Sequence, residues 1–416
     1  MSSAVLPHYG VSRVPSKEQL VRIAQDLLSH RFGGSQRLEN VEVLAGSGES
    51  TVLRAQVASQ PFLQHRTVVL KFVPMTGEVL YDAALMREVV AYQFTTALPE
   101  NVRPGPVLLA YDMDERLVVM TDSGDGDTFA ELLETAKQDT RGHILRNLGS
   151  SLGRMHAGTA EREKEFDILT SRMLKHHPQF SENQGVRDAA LEKSILLGEQ
   201  ILEHSGFVLP QAFRDAAQIA RKRVLGGSAR AFTPFDLSPD NIIVSDRTHF
   251  LDYEWAGFRD VSFDIACVIA GFPQFVFTHP ITDDEVETFI SAWKREIKGV
   301  FPKLAEPEYL HGRVLAALVG WGLSTLATMA AGNLSGVVGM LEKGDDITAD
   351  LEHAARLLRV GAADSFTEDE ILARRDIFET FEAMSRYGTY GGAAFSIQIA
   401  EFARSIAQRV EKPGWK

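Results

Sequence analysis

The feature of this sequence that most constrains its fold is an abrupt change of texture at Ser123-Gly124. Before it, short β-rich runs surround two helical patterns; after it, almost every stretch reads as helix with polar connections. The first helical pattern, SKEQLVRIAQDLLSH, opens with Ser16 as N-cap and Gln19 three residues on. It places Leu20, Ile23, Ala24, Leu27 and Leu28 on one face, and Gly33-Gly34 stop it. Strands are predicted at Val41 to Leu44, Thr51 to Val57 and Thr67 to Val73, a helix from about Asp82 to Ala97, and strands again at Val107 to Ala110 and Leu117 to Thr121. Five strands broken once by a helix predict a compact α+β unit of antiparallel character. A chain of 416 residues is too long to close around one small core. Two units are therefore expected, residues 1–122 and a larger, mostly helical 123–416.

Ala231 to Asp252 is the exception in the helical half. There a loop with two prolines leads into IIV and HFL, separated by Ser245-Asp246-Arg247, whose turn-forming composition suits a hairpin. Two strands alone are marginally stable, so the expected use of such a hairpin is to hold its polar loops rigidly. Those loops carry Asp236 and Asn241, five residues apart around Pro239, and Asp252 beyond the second strand. Phosphoryl transfer asks for a cation on the nucleotide phosphates, carboxylate and amide oxygens for Mg²⁺, a base beside the acceptor hydroxyl and a close-fitting loop over the triphosphate. Each has a candidate here. Taken alone, an Asp-x-x-x-x-Asn is usually turn chemistry, and Gly46-Ser47-Gly48 between strands is more often just a turn. Lys71 inside an apolar strand is harder to dismiss, because burying an unpaired ammonium is expensive and demands an anionic partner.

The segment Asp236-Leu237-Ser238-Pro239-Asp240-Asn241 resembles the catalytic loop of the aminoglycoside phosphotransferase and choline kinase family, and Asp252-Tyr253-Glu254 resembles its metal-binding segment. In the order that family keeps, VVLKFVP supplies Lys71, REVVAYQF supplies Glu88, VVMTDSG at 118 to 124 resembles the hinge, SLGRMHAGT at 151 to 159 the helix before the catalytic loop, and SFDIA at 262 to 266 the stretch whose aspartate braces that loop. The resemblance spans roughly residues 40 to 270. It implies a bilobal, protein-kinase-like α+β fold: an N-terminal nucleotide-binding lobe with a five-stranded antiparallel sheet and one principal helix, and a larger helical catalytic and substrate-binding lobe. It also implies ATP and Mg²⁺ as cofactors and a small-molecule hydroxyl as acceptor. Asp236 would orient and deprotonate that hydroxyl; Asn241 and Asp252 would hold magnesium. Lys71, fixed by Glu88, would contact the phosphates; Gly46, Ser47, Gly48, Glu49 and Ser50 would close over them, with Met120 and Asp122 at the hinge. Asp264 would be structural support, and Glu254 would assist metal or acceptor. Residues 159 to 229, with the C-terminal helices, would shape the acceptor pocket.

One departure stands out. The family's catalytic aspartate normally follows a His-Gly pair, and here those places hold Pro234 and Phe235. Lost bracing is expected to weaken positioning more than chemistry, and it makes a nucleotide-binding pseudokinase the alternative reading. A protein kinase fits less well, because Asp252 runs within about 12 residues into SFDIA with no activation-loop stretch.

Composition narrows the partners. The net charge of −13 argues against a nucleic-acid binder, whose affinity rests on clustered Lys and Arg. Residues up to Asp122 hold 13 acidic and 11 basic side chains, so the acidity lies in the later part and favours a cationic or neutral acceptor such as an aminoglycoside, amino sugar or amino alcohol. The lone Cys267, in IACVIAGF, is expected to be buried and inert, and one cysteine suits a reducing cytoplasm. The first residues show no targeting pattern. Apolar stretches such as Val314 to Met329 fall short of the roughly 20 residues needed to span a bilayer and read as buried helix, so no membrane is expected. His156 is expected to be packed and hydrogen-bonded, His176-His177 solvated, and the glycine-rich 330 to 339 to join two helices.

Overall fold

The computed structural model describes residues 14–44, 50–59, 61–275, 277, 279–342, 348–361 and 365–411. Its first helix, Lys17–Phe32, starts at the predicted capping box: Ser16 Oγ accepts from the Gln19 N–H at 3.3 Å, and Gln19 Oε1 accepts from the Ser16 N–H at 2.7 Å. Gly33 and Gly34, at φ 84° and 65°, end it. Five strands follow: β1 (Leu38–Leu44), β2 (Thr51–Val57), β3 (Thr67–Phe72), β4 (Leu108–Asp112) and β5 (Leu117–Thr121). They form one antiparallel sheet in the order β1-β2-β3-β5-β4. The helix Ala84–Thr96 falls between β3 and β4, and a single helical turn, Val79–Asp82, precedes it.

Side-chain alternation gives the sheet two working faces. Val68, Leu70 and Phe72 of β3, with Leu117 and Val119 of β5, pack with Leu20, Ala24 and Leu28 of the first helix. Val69, Lys71 and Val73 point the other way, beside Val118 and Met120, towards Ala84–Thr96 and the rest of the chain. A one-residue slip of β3 would turn Lys71 towards the first helix and away from Glu88 and Asp252.

Beyond Thr121 the predicted helical texture holds, with one correction. The hairpin of β8 (Ile242–Val244) and β9 (Thr248–Phe250) is not isolated. A two-residue strand, β6 (Asp127–Thr128), adds to its edge, and β7 (Arg230–Thr233) pairs with β10 (Gly257–Asp260) alongside. Two residues are too few to carry a period-2 signal, so β6 is invisible in sequence. The chain Pro104-Gly105 also crosses the hairpin: the Phe250 N–H donates to Pro104 O at 2.8 Å. A Cβ at Gly105 would lie 2.4 Å from Phe250 O, so only glycine permits this crossing.

The helix Pro307–Ala331 is the spine of the larger part, packing on Ser181–His204, Gln211–Val224, Ser262–Ile269 and Glu368–Tyr390. Its 25 residues are long and apolar enough to cross a membrane by length and composition, but 67% of its most apolar window is buried by those neighbours. The run from Val314 to Met329 understates this helix, because its first turns are polar. Helix Ser181–His204 approaches it at Gly198, where a Cβ would lie 2.3 Å from Leu323 O. Gly332, at φ 80°, and Asn333 join the spine to Leu334–Glu342, so the predicted connection over 330 to 339 shrinks to two residues and the rest of that run is helix.

Candidate active site

The site forms where the inner face of β3, the helix Ala84–Thr96 and the hairpin loops meet. Lys71 Nζ donates to Glu88 Oε1 at 2.8 Å and to Asp252 Oδ1 at 2.9 Å. Glu88 is 2% exposed and Asp252 35%, so the lysine spans from a closed interior to an open cleft. Burial works against the Lys71 charge, but the Glu88 and Asp252 carboxylates outweigh it and raise its pKa, keeping it an ammonium. For Glu88 burial dominates and pushes the acid up, with Lys71 opposing. Tyr92, one turn after Glu88, accepts a hydrogen bond from the Asp252 N–H at 3.3 Å and packs its ring 4.8 Å from Tyr253. The helix therefore grips both the lysine and the loop.

The hairpin brings its two ends together. Leu251 N–H donates to Asn241 O at 2.8 Å, which sets Asn241 beside the residue before Asp252. Asp252 has φ 56°, a left-handed conformation that a short polar side chain tolerates. Asp236 Oδ1 accepts from the Ser238 N–H at 3.1 Å. Burial first, and then the charge of Asp252, push the Asp236 carboxyl up to about 6. Burial and Asp252 raise Glu254 as well. Besides burial, the Asp252 charge raises each of Glu88, Asp236 and Glu254.

That acid excess can accept a dication. Among the described residues no three His, Cys, Asp or Glu side chains form a ready-made metal centre. Magnesium is commonly held by one or two side chains together with substrate phosphates. The amide of Asn241 and the carboxylate of Asp252 are a donor set of that kind.

The cleft beside Lys71 measures about 490 Å³ and is lined by Ser50, Glu78, Glu254 and Asn333 as well as the ion-paired trio. Gly46, Ser47, Gly48 and Glu49 lie outside the described residues; Ser50 reaches the cleft. Met120 is buried on the inner face of β5, and Asp122 is held by Arg54 of β2 at 2.9 Å. Neither lines that cleft, and nor do Asp236 and Asn241: of the predicted residues the structure gathers Lys71, Glu88, Asp252, Glu254 and Ser50 there. A larger cavity of about 970 Å³, bordered by Glu287, Tyr309, Tyr387 and Phe395, includes none of these residues.

At the departure from the family pattern, Phe235 adopts φ 66°, the left-handed region a glycine would take freely. Such a backbone costs about 1–3 kcal/mol and persists only where packing over-determines it. Here the Phe235 ring stacks on Trp321 at 5.1 Å and 26°, with the Arg259 guanidinium 4.8 Å from its centroid. The loop keeps the glycine-like turn and gains an aromatic anchor.

His156 is buried, as predicted. Trp293 donates its indole N–H to His156 Nδ1 at 3.0 Å, so Nδ1 must accept and Nε2 carries the proton to Asp264 Oδ2, 3.1 Å away. Burial pushes the Asp264 acid up, against that bond. Asp264 Oδ1 makes no hydrogen bond among the described residues, so no hydrogen-bonded brace runs from Asp264 to the catalytic loop. The buried Cys267, whose thiol burial raises, contacts the Leu237 backbone instead.

The sequence model of the phosphotransferase enzyme family, APH, matches residues 45–306. The chain belongs to that family. No curated protein matches it. Among solved structures, this phosphotransferase is similar to a choline kinase from Cryptosporidium parvum at 13% identity, covering 82% of this chain and 94% of that one, with a TM-score of 0.45. A choline kinase from Streptococcus pneumoniae gives 15%, 80%, 97% and 0.41. An ADP-bound aminoglycoside phosphotransferase gives 13%, 77%, 93% and 0.40. Sequence reading missed three contributors to this phosphotransferase's site: Asn333 in the cleft wall, the Phe235–Trp321 stack behind the catalytic loop, and Arg187, whose buried guanidinium donates to Leu80 O and Glu254 O. Each is brought to the site by the packing of segments far apart in the chain.

Proposed function

We propose that this chain moves the γ-phosphoryl group of ATP to a hydroxyl of a small molecule, with Mg²⁺ as cofactor. The observation that carries the reading is the single ammonium of Lys71 set between Glu88 and Asp252 in an open cleft, with Asp236 near enough for the Asp252 charge to raise it. Lys71 would hold the α- and β-phosphate oxygens and Glu88 would fix its direction. Asn241 and Asp252 would hold magnesium, which supplies charge neutralisation between the β- and γ-phosphates. Asp236 would accept the proton of the acceptor hydroxyl as its oxygen bonds to the γ-phosphorus and the bond to ADP breaks. The acidic balance after Asp122 supports a cationic or neutral acceptor such as an aminoglycoside, amino sugar or amino alcohol.

The test is ATP consumption across a library of hydroxyl compounds, with Mg²⁺ and with EDTA. Acceptor-stimulated, magnesium-dependent consumption is expected. ATP binding without turnover on any acceptor would turn the reading into a nucleotide-binding scaffold.

Two further outcomes are expected. Lys71→Ala should raise the KM for ATP about tenfold, the worth of a charge-assisted hydrogen bond, and Glu88→Ala should do so more mildly. Both should stay folded: without Lys71, Glu88, which burial pushes up to about 7, can take a proton, and without Glu88, Lys71 keeps its bond to Asp252. Unchanged ATP affinity of Lys71→Ala by titration calorimetry refutes the assignment. The second outcome concerns pH. A base must be ionised, and the free Asp236 carboxyl titrates at about 6. So kcat/KM should be full above that value and fall as pH drops through it. A profile flat down to pH of about 4, the ordinary range for aspartate, would contradict Asp236 as the base.

A further inference from the structure

The long insertion between the His156 helix and the catalytic loop does something the family motifs do not specify. Its helix Ser181–His204 turns Gln184, Arg187 and Asp188 to one side, three and four residues apart. Gln184 uses both ends of its amide: Oε1 accepts from Arg87 Nε at 3.0 Å and Nε2 donates to Ala83 O at 2.7 Å. Asp188 accepts from Arg87 at 2.8 Å and lies 3.4 Å from Arg259. Arg187 is 2% exposed. One of its terminal nitrogens donates to Leu80 O at 2.6 Å, the other to Glu254 O at 2.8 Å, and its guanidinium lies 3.9 Å from the Trp255 ring centroid.

Leu80 and Ala83 lead into the helix that carries Glu88, and Glu254 lies two residues beyond Asp252. One guanidinium therefore ties together the two backbones whose carboxylates flank Lys71. Those backbones have reason to part, because Glu88, Asp252 and Glu254 repel one another and one lysine cannot balance three acids. A guanidinium is well suited to tie them, since its planar fork reaches two carbonyls at fixed spacing and its positive charge faces Glu254.

We propose that Arg187, with Gln184 and Asp188 on the same helix face, is a positioning residue that holds Glu88 and Asp252 in register around Lys71 before nucleotide arrives. The inference rests on the phosphotransfer reading above. It makes the insertion a strut for the metal and phosphate site, beyond any part it plays around the acceptor.

The test compares wild type with R187M, which keeps an apolar stem over Trp255, and with R187K, which keeps charge without the fork. R374M is the matched control, since Arg374 is also a buried arginine donating to backbone carbonyls, those of Leu357 and Arg359, remote from the site. Three quantities are read: the Mg²⁺ concentration for half-maximal ATP consumption, ATP affinity in EDTA by calorimetry, and the melting temperature. R187M should raise the magnesium requirement roughly 10- to 100-fold, as loss of outer-shell support for a metal site does. Affinity for metal-free ATP should change far less, and R187K should recover part of the loss. R374M should lower the melting temperature without moving the magnesium curve. A folded R187M whose magnesium curve lies within about twofold of wild type overturns the inference. If R187M does not fold, D188N decides, because that half-exposed side chain can change without loss of the core. The same shift in smaller measure is expected, and an unmoved curve overturns the proposal. A wild type with no magnesium-dependent ATP binding defeats the phosphotransfer reading itself, and this inference with it.

Discussion

Asp236→Asn should lose acceptor-dependent ATP consumption by roughly 10²–10⁴-fold in kcat, the worth of a positioned general base, while binding Mg·ATP almost as wild type does. The substitution is nearly isosteric, and the Ser238 N–H that donates to Asp236 Oδ1 can donate to an amide oxygen instead. Asp236 is not one of the proposed metal ligands, so magnesium binding should change little, and the loss should fall on the chemical step. Calorimetric titration beside single-turnover phosphoryl transfer separates the two. Turnover at the wild-type rate would remove Asp236 from the mechanism; a large loss of Mg·ATP affinity would recast it as a binding group.

Asp252→Asn should be as damaging for a different reason. Here the lost charge comes from the proposed metal ligand, so kcat should drop by about 10²-fold or more, with a higher magnesium requirement and only a modest change for metal-free ATP. Lys71 should stay in place, because its bond to the buried Glu88 remains. The measurement is a melting series with ATP alone, ATP plus Mg²⁺, and EDTA, run on both proteins beside an ATP-consumption assay. Wild type should be stabilised most by the metal complex, and the variant should lose that increment. If nucleotide stabilises both proteins equally with and without Mg²⁺, the proposed phosphotransfer mechanism fails and a nucleotide-binding scaffold takes its place.

Much of the architecture could be read from local pattern. The first helix begins at Ser16 and ends at Gly33 because a capping box and a glycine are local devices. β2 and β5 have their predicted bounds, Thr51–Val57 and Leu117–Thr121, because their apolar runs end in turn-forming residues. β6 was illegible, since two residues form a strand only when a hairpin edge is there to receive them. The stacking at Phe235 was equally hidden: the sequence displays a bulky residue where a glycine is expected, and only the fold supplies Trp321 and Arg259 to hold it there.

By itself, the sequence determined which residues were candidates for the chemistry, because Lys71 in an apolar strand needs an anion and carboxylates clustered around a hairpin invite a metal. It also determined the two-part texture of the chain, because hydrophobic period is a local property. Tertiary structure alone decided that Lys71 meets Asp252 as well as Glu88, across 181 residues of chain. It decided too that Arg187 ties Leu80 to Glu254, and that Asn333 borders the cleft beside them. Hydrogen bonds and ion pairs act over a few ångströms, and which groups come within that reach depends on how helices and sheet pack, a choice set by the whole core and written in no single segment.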